Sequence, residues 1–265
     1  MINKYLLYID ILGFSNLVKN DYTKIDKIYK LINSLNVHKH YAFNTIVFSD
    51  TILVYNSKEP RSEEEHKYLV MYAVEFAQDL WFRTVGKEIF FRGILRYGPF
   101  NHNKLSHIDA FYGDALIESY LKEKDLNCCG LFIDNSCIKY NDIFPTLKYD
   151  KNLNYVFYLQ SLERLMLNTD GNLSTDPFFL NSTYDYWSIL WDLRYLRDIN
   201  NLMTNHPEPK VRSKYLITWH IYRARYRKIL DLLEQADFNP LVICNEYDWS
   251  EMEESFSEQI ESWYE

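Results

Sequence analysis

The chain is short of the residues that punctuate a backbone. Only 7 Gly and 7 Pro occur in 265 residues. That argues against a loop-dominated fold and makes each Gly a sign of a position that needs one. The 4 cysteines, Cys128, Cys129, Cys137 and Cys244, lack metal-finger spacing, and the adjacent pair is poorly placed for a disulfide. Reduced structural thiols in a cytoplasmic protein are expected. No run approaches the roughly 20 apolar residues of a spanning helix. No signal peptide precedes the first strand-like run, so no membrane partner is expected. Positive charge is also short: Lys and Arg number 29 against 37 Asp and Glu, for a net charge of -8. A broad electrostatic footprint for nucleic acid is therefore missing, and no nucleic-acid partner is expected. The same deficit argues against the basic primer channel of a palm-type polymerase or nuclease. There is no Gly-Lys-Ser/Thr phosphate loop, no Gly-x-Gly-x-x-Gly and no Gly-x-Ser-x-Gly elbow.

What the chain does have is aromatic mass: 23 Tyr, 16 Phe and 6 Trp supply ample surface to bury and exclude disorder. Residues 4–11, KYLLYIDI, read as a buried strand that ends at Asp10. Ser15 is placed to cap a following helix with Leu17, Val18, Ile25, Ile28, Leu31 and Ile32 at helical spacing. Residues 44–55, NTIVFSDTILVY, read as a hairpin with Asp50 at its tip. A second helix is expected over about 66–85, a strand over 87–97, a polar loop over 101–109, a turn and short helix over 111–124, and a strand over 130–134. This order is the ferredoxin-like βαββαβ arrangement of an α+β fold. Residues 186–202 and 211–233 then read as helices separated by a His206-Pro207-Glu208-Pro209 breaker, and the acidic tail 249–265 as a short helix or loose end. The expected organisation is a domain over 1–165 and a C-terminal helical extension over 176–265.

In that topology the end of the first strand and the hairpin tip meet at one edge, bringing Asp10 and Asp50 together. Paired carboxylates of this kind suit Mg²⁺ or Mn²⁺, hard cations that share their coordination with substrate phosphates. Residues 11–14 turn into the helix, and Gly13 lets the backbone come close to a phosphate. Arg92 and Arg96 alternate to one strand face, and a guanidinium suits a tetrahedral anion. Tyr112, with its hydroxyl beside a turn, is the best candidate for base contact among the aromatics Phe43, Phe48, Phe111 and Tyr112. His38 and His40 lack a third ligand and read as solvated. The basic stretch from Arg212 to Lys228 reads as a helix face paired with acidic residues.

These residues carry a family resemblance. YIDILGFSNL (8–17) resembles the first metal motif of class III nucleotidyl cyclases, and FSDTILVY (48–55) the second. FRGILRYGPF (91–100) is similar to the family's Arg-x-Gly-Ile strand, and FYGDALIESYLKEK (111–124) to its Gly-led turn and helix. Within the family the chain most resembles the bacterial pyrimidine cyclases of the Pycsar antiphage system. They share its Gly-x-Ala-Leu turn and a trailing basic-aromatic helical segment, here VRSKYLITWHIY (211–222). The resemblance implies that Asp10, Asp50 and the Ile11 carbonyl bind two Mn²⁺ or Mg²⁺ ions, with Phe14 and Ser15 beside the phosphates. It implies conversion of UTP or CTP to the 3′,5′-cyclic mononucleotide and pyrophosphate as an antiviral signal, in a head-to-tail homodimer.

Departures from the family pattern qualify the substrate and the activity. The family's purine-reading Lys falls at Ile46 and its second base-reading carboxylate at Ala110, which favours a pyrimidine. Its transition-state Asn and Arg fall at Ile117 and Leu121. Either Arg92, Arg96, Lys122 or Lys124 replaces them, or the domain is a catalytically weak nucleotide-binding module.

Overall fold

The computed structural model describes residues 2–181 and 188–265. It divides into two compact units: residues 1–83 with 89–158, and residues 84–88 with 159–265. The expected boundary at 165 thus falls inside the second unit, whose first helix begins at Gln160.

The first unit is a mixed α+β structure built on strands β1 (Asn3–Ile11), β2 (Phe43–Phe48), β3 (Thr51–Asn56) and β4 (Phe91–Pro99). Their order in the sheet is β2-β3-β1-β4, with β1 antiparallel to both neighbours. This is the ferredoxin-like order read from the sequence. β1 is central, so Leu6, Leu7, Tyr8, Ile9 and Ile11 are buried on both faces, which is why it reads as a continuous apolar run. A fifth strand, β7 (Gly130–Asp134), joins β4 in parallel. One sheet face is covered by α1 (Phe14–Asn20), α2 (Tyr22–Asn33) and α3 (Glu63–Thr84), which supply Ile25, Ile28, Val70, Val74 and Ala77 to the core. The other face is covered by α4 (Asp114–Asp125) and a small hairpin of β5 (Asn101–Lys104) and β6 (Asp109–Tyr112).

Several local expectations are corrected. The helix after β1 is broken in two at Asp21, whose side chain accepts from Lys24 N at 2.9 Å and starts α2. Ser15 is not a cap; Gly13, at φ 78°, occupies that position. The polar loop over 101–109 is the β5–β6 hairpin, pinned by a hydrogen bond of 2.5 Å between Tyr55 Oη and His102 Nδ1. The sheet also continues past β7 through β9 (Leu153–Val156) to β8 (Thr146–Lys148), with α5 (Asn135–Ile138) between β7 and β8. Residues 87–90 precede β4 rather than belonging to it. The turn from β6 to α4 needs its glycine: a Cβ on Gly113, at φ 145°, would lie 2.2 Å from the Pro99 carbonyl oxygen.

The second unit is helical: α6 (Gln160–Thr169), α7 (Pro177–Asn181), α8 (Ile189–Asn205), α9 (Pro209–Gln235) and α10 (Ser250–Tyr264). The expected start of one helix, Tyr186, lies outside the described residues. Pro209 begins α9, where its missing N–H costs nothing. The basic residues of α9 pair within the unit: Arg223 with Asp231 at 2.6 Å, Arg225 with Glu163, and Arg212 with the His206 carbonyl at 2.6 Å. The tail is an ordered helix, with Trp263 buried. All four cysteines are buried and none is in a disulfide. Among the described residues no helix is long and apolar enough to cross a membrane.

Candidate active site

Asp10 is the penultimate residue of β1, opposite Thr51 of β3 and Arg92 of β4. Ser49 and Asp50 form the two-residue turn between β2 and β3, with Ser49 at φ 51°. Ile11 N–H donates to the Asp50 carbonyl at 2.9 Å, which ties the hairpin tip to the end of β1. The two expected aspartates therefore share one end of the sheet. Their charges interact: burial pushes the Asp10 carboxyl up to about 7, and Glu123 and Asp50 add to the shift while Arg92 opposes it.

The alternation of β1 and β4 puts Asp10 and Arg92 on the same sheet face, beneath α4. The buried side of α4 is Ala115, Ser119 and Glu123, at intervals of four. Glu123, only 5% exposed, reaches the Arg92 guanidinium as an ion pair. Arg92 Nη1 also donates to the Leu126 carbonyl at 2.5 Å, and Nη2 stands 3.4 Å from Asp10 Oδ2. Arg92 is thus at the site, but engaged with carboxylates and a carbonyl of the fold.

Glu123 is the residue missed by sequence reading. Its position in a stripe with Ala115 and Ser119 was the available signal, obscured by charged neighbours Lys122 and Lys124. Those two lysines point to other partners: Lys122 to Asp150 at 2.8 Å, Lys124 to the Tyr120 ring.

The other expected site residues are less concentrated. Arg96 is four residues from Arg92, about 13 Å along the strand. It donates to Asp134 Oδ2 at 2.9 Å, away from the Asp10 end. The Phe14 ring is buried at 3% exposure and packs edge-on against Tyr29, while Ser15 is exposed. Tyr112 is exposed at the end of β6, where its hydroxyl accepts from Asn103 Nδ2 at 3.4 Å. Phe48 and Phe111 lie together, ring centroids 5.9 Å apart, beside the hairpin tip. Phe43 is core. His38 is exposed, but His40 is half-buried among Tyr68, Tyr72 and Phe43 rather than solvated. Ile117 and Leu121 are both exposed on α4, one turn apart. A surface cavity lined by Tyr41, Ser57, Arg61 and Tyr68 lies at the opposite end of the β2–β3 hairpin from Asp50 and includes none of the expected site residues.

Among the described residues no group of three or more His, Cys, Asp or Glu side chains is arranged to hold a metal ion alone. The donor set nevertheless fits a hard divalent cation whose shell is completed by a ligand. Asp10 and Asp50 would be its donors, and Glu123, ion-paired to Arg92, offsets that guanidinium's positive charge in a partly desolvated site.

No family model matches the chain, and no curated protein does. Its chain path is similar to several solved structures. The adenylyl cyclase CyaB from P. aeruginosa is 10% identical, with 58% of this chain and 93% of that one covered, at a TM-score of 0.44. The monomeric guanylyl cyclase domain of the RhoGC fusion protein from the aquatic fungus Blastocladiella emersonii is 17% identical, with coverage of 59% and 95%, at 0.47. The guanylate cyclase domain of RhGC from Catenaria anguillulae, solved in complex with GTP, is 13% identical, with coverage of 59% and 96%, at 0.44. Likeness at this level assigns no activity or substrate to this chain.

Proposed function

We propose that the first unit is a nucleotidyl cyclase that converts a pyrimidine nucleoside triphosphate, UTP or CTP, to its 3′,5′-cyclic mononucleotide and pyrophosphate. The observation that carries this reading is the meeting of Asp10 and Asp50 at one sheet end, tied by the Ile11–Asp50 hydrogen bond of 2.9 Å. The cyclase-like motifs around both residues support it. Asp10, Asp50 and the Ile11 carbonyl would hold two Mn²⁺ or Mg²⁺ ions. Such ions acidify an attacking hydroxyl and neutralise phosphate charge. The bond formed is from the ribose 3′ oxygen to the α-phosphorus; the bond broken leads to the β-phosphate, which leaves as pyrophosphate.

The chain's own residues have four tasks here. The turn at Gly13 is open, since a Cβ added there would meet nothing within 4 Å, and this leaves room for phosphates beside the backbone. Arg92 places a cationic side chain beside Asp10. Ile46, where purine-using cyclases carry a Lys, removes a charged purine contact and favours a pyrimidine. Phe48 and Phe111 offer rings for a base to pack on, and Tyr112 a hydroxyl nearby. The product would serve as a signal in antiviral defence, and the enzyme would act as a cytoplasmic homodimer.

A second reading is a cyclase-like module that binds a nucleotide without turning it over. It is motivated by Ile117 and Leu121, exposed apolar side chains where the family's Asn and Arg fall. One assay separates the two. Purified protein with Mn²⁺ and each of the four ribonucleoside triphosphates should release pyrophosphate and a cyclic product from UTP or CTP. Asp50→Ala, folded by circular dichroism, should lose at least about 100-fold of that rate. Calorimetric binding with no product from any triphosphate selects the second reading.

A further inference from the structure

The Arg92 guanidinium is shared unequally. Its closest contacts are Glu123, from α4, and the Leu126 carbonyl at 2.5 Å; Asp10 is the loosest, at 3.4 Å. The side chains are largely enclosed, at 12% exposure for Arg92, 6% for Glu123 and 18% for Asp10. Arg92 Nε is buried and finds no hydrogen-bond partner among the described residues. A guanidinium held this far from water needs a carboxylate, because an unpaired buried charge is costly. Two carboxylates compete for it, and Glu123 holds the larger share.

Resting on the cyclase reading above, we propose that Glu123 is a positioning residue. By holding Arg92 from the helix side, it keeps that cation from closing on Asp10 and leaves the Asp10 carboxylate available to a divalent metal ion. Without Glu123, the nearest remaining carboxylate to Arg92 is Asp10, and a bidentate Arg–carboxylate pair would occupy the oxygens the cation needs. Glu123 acts through Arg92 and not as a ligand itself.

The test is Mn²⁺ binding, read by electron paramagnetic resonance of the free ion as the metal alone is titrated into the full chain. Wild type and Asp50→Ala come first: saturable binding that Asp50→Ala abolishes supports the metal reading, and no binding by wild type overturns that reading and this proposal with it. Given wild-type binding, Glu123→Gln should weaken Mn²⁺ affinity by about 10-fold or more, the range seen when a group supporting a ligand is lost. The double variant Glu123→Gln with Arg92→Met removes the ion pair as a unit. It should recover affinity to within about 3-fold of wild type, because nothing then competes for Asp10. Glu123→Gln binding as tightly as wild type overturns the proposal. So does a double variant as weak as the single one, which would make Glu123 a direct ligand. Should Glu123→Gln alone fail to fold, the double variant is compared with Arg92→Met, which retains Glu123. Equal affinities support a role exercised only through Arg92, and a weaker double variant overturns it.

Discussion

At the scale of single residues, the chain places its carboxylates in two kinds of environment. Asp10 and Asp50 sit where charge can be answered by a cation. Asp192, in the second unit, sits where it cannot. It is 1% exposed, accepts one hydrogen bond from Leu162 N at 2.8 Å, and its Oδ1 has no partner among the described residues. Burial holds its carboxyl well above the ordinary 3.8, opposed only by that hydrogen bond. In the unfolded chain it ionises near the ordinary value, so the folded state binds the extra proton. The stability this confers is whole below the unfolded value and is lost as pH rises toward the folded one, at up to about 1.4 kcal/mol per pH unit. Asp192→Asn keeps an acceptor for Leu162 and cannot ionise. Thermal unfolding from about pH 5 to about pH 7 should therefore show a shallower fall in stability for the variant than for wild type. Equal slopes would show that Asp192 carries the same charge folded and unfolded over this range. Residues differ in how far they could be read in advance. Asp10 and Asp50 stand out as single acids inside apolar runs. Glu123 and Asp192 sit among other polar residues, and only the packing of their helices reveals that they are buried.

At the scale of elements, long and periodic segments were legible and short ones were not. β1, the β2–β3 hairpin and β7 follow directly from their apolar runs. β8 has three residues and β9 four, too few to establish a period of two. β5 is wholly polar and β6 has only four residues, so their strand character comes from backbone pairing and from the Tyr55–His102 bond rather than from pattern. The break between α1 and α2 was hidden because apolar spacing continues across Asp21, which interrupts the helix by capping the next one. α4 carries both a residue of the candidate site and an exposed apolar pair. Its inner side carries Glu123, while its outer side exposes Ile117 and Leu121, each 54% exposed, one turn apart. An apolar pair on the rim of a homodimer would be covered by the second copy. Sedimentation should show a concentration-dependent dimer, and Leu121→Glu should weaken it by about 10-fold or more, since a carboxylate would have to be desolvated. A wild type monomeric throughout, or a variant that associates equally well, would remove α4 from the assembly.

At the scale of the molecule, the acidic balance frames the chemistry. A protein of net charge -8 repels a free triphosphate, and the basic residues of α9 are not spare, because several are paired within their own unit. The site end of the first unit adds further acids. A nucleotide is therefore expected to be recognised together with divalent cations, with the carboxylates of Asp10 and Asp50 as the meeting point. The direct measurement is anomalous diffraction at the manganese edge, from crystals grown with Mn²⁺ and a UTP analogue that cannot cyclise. An anomalous peak about 2.1–2.2 Å from carboxylate oxygens of both Asp10 and Asp50, with phosphate oxygens on its other side, is the predicted result. Bound analogue with no such peak, or manganese held by neither aspartate, would contradict the account.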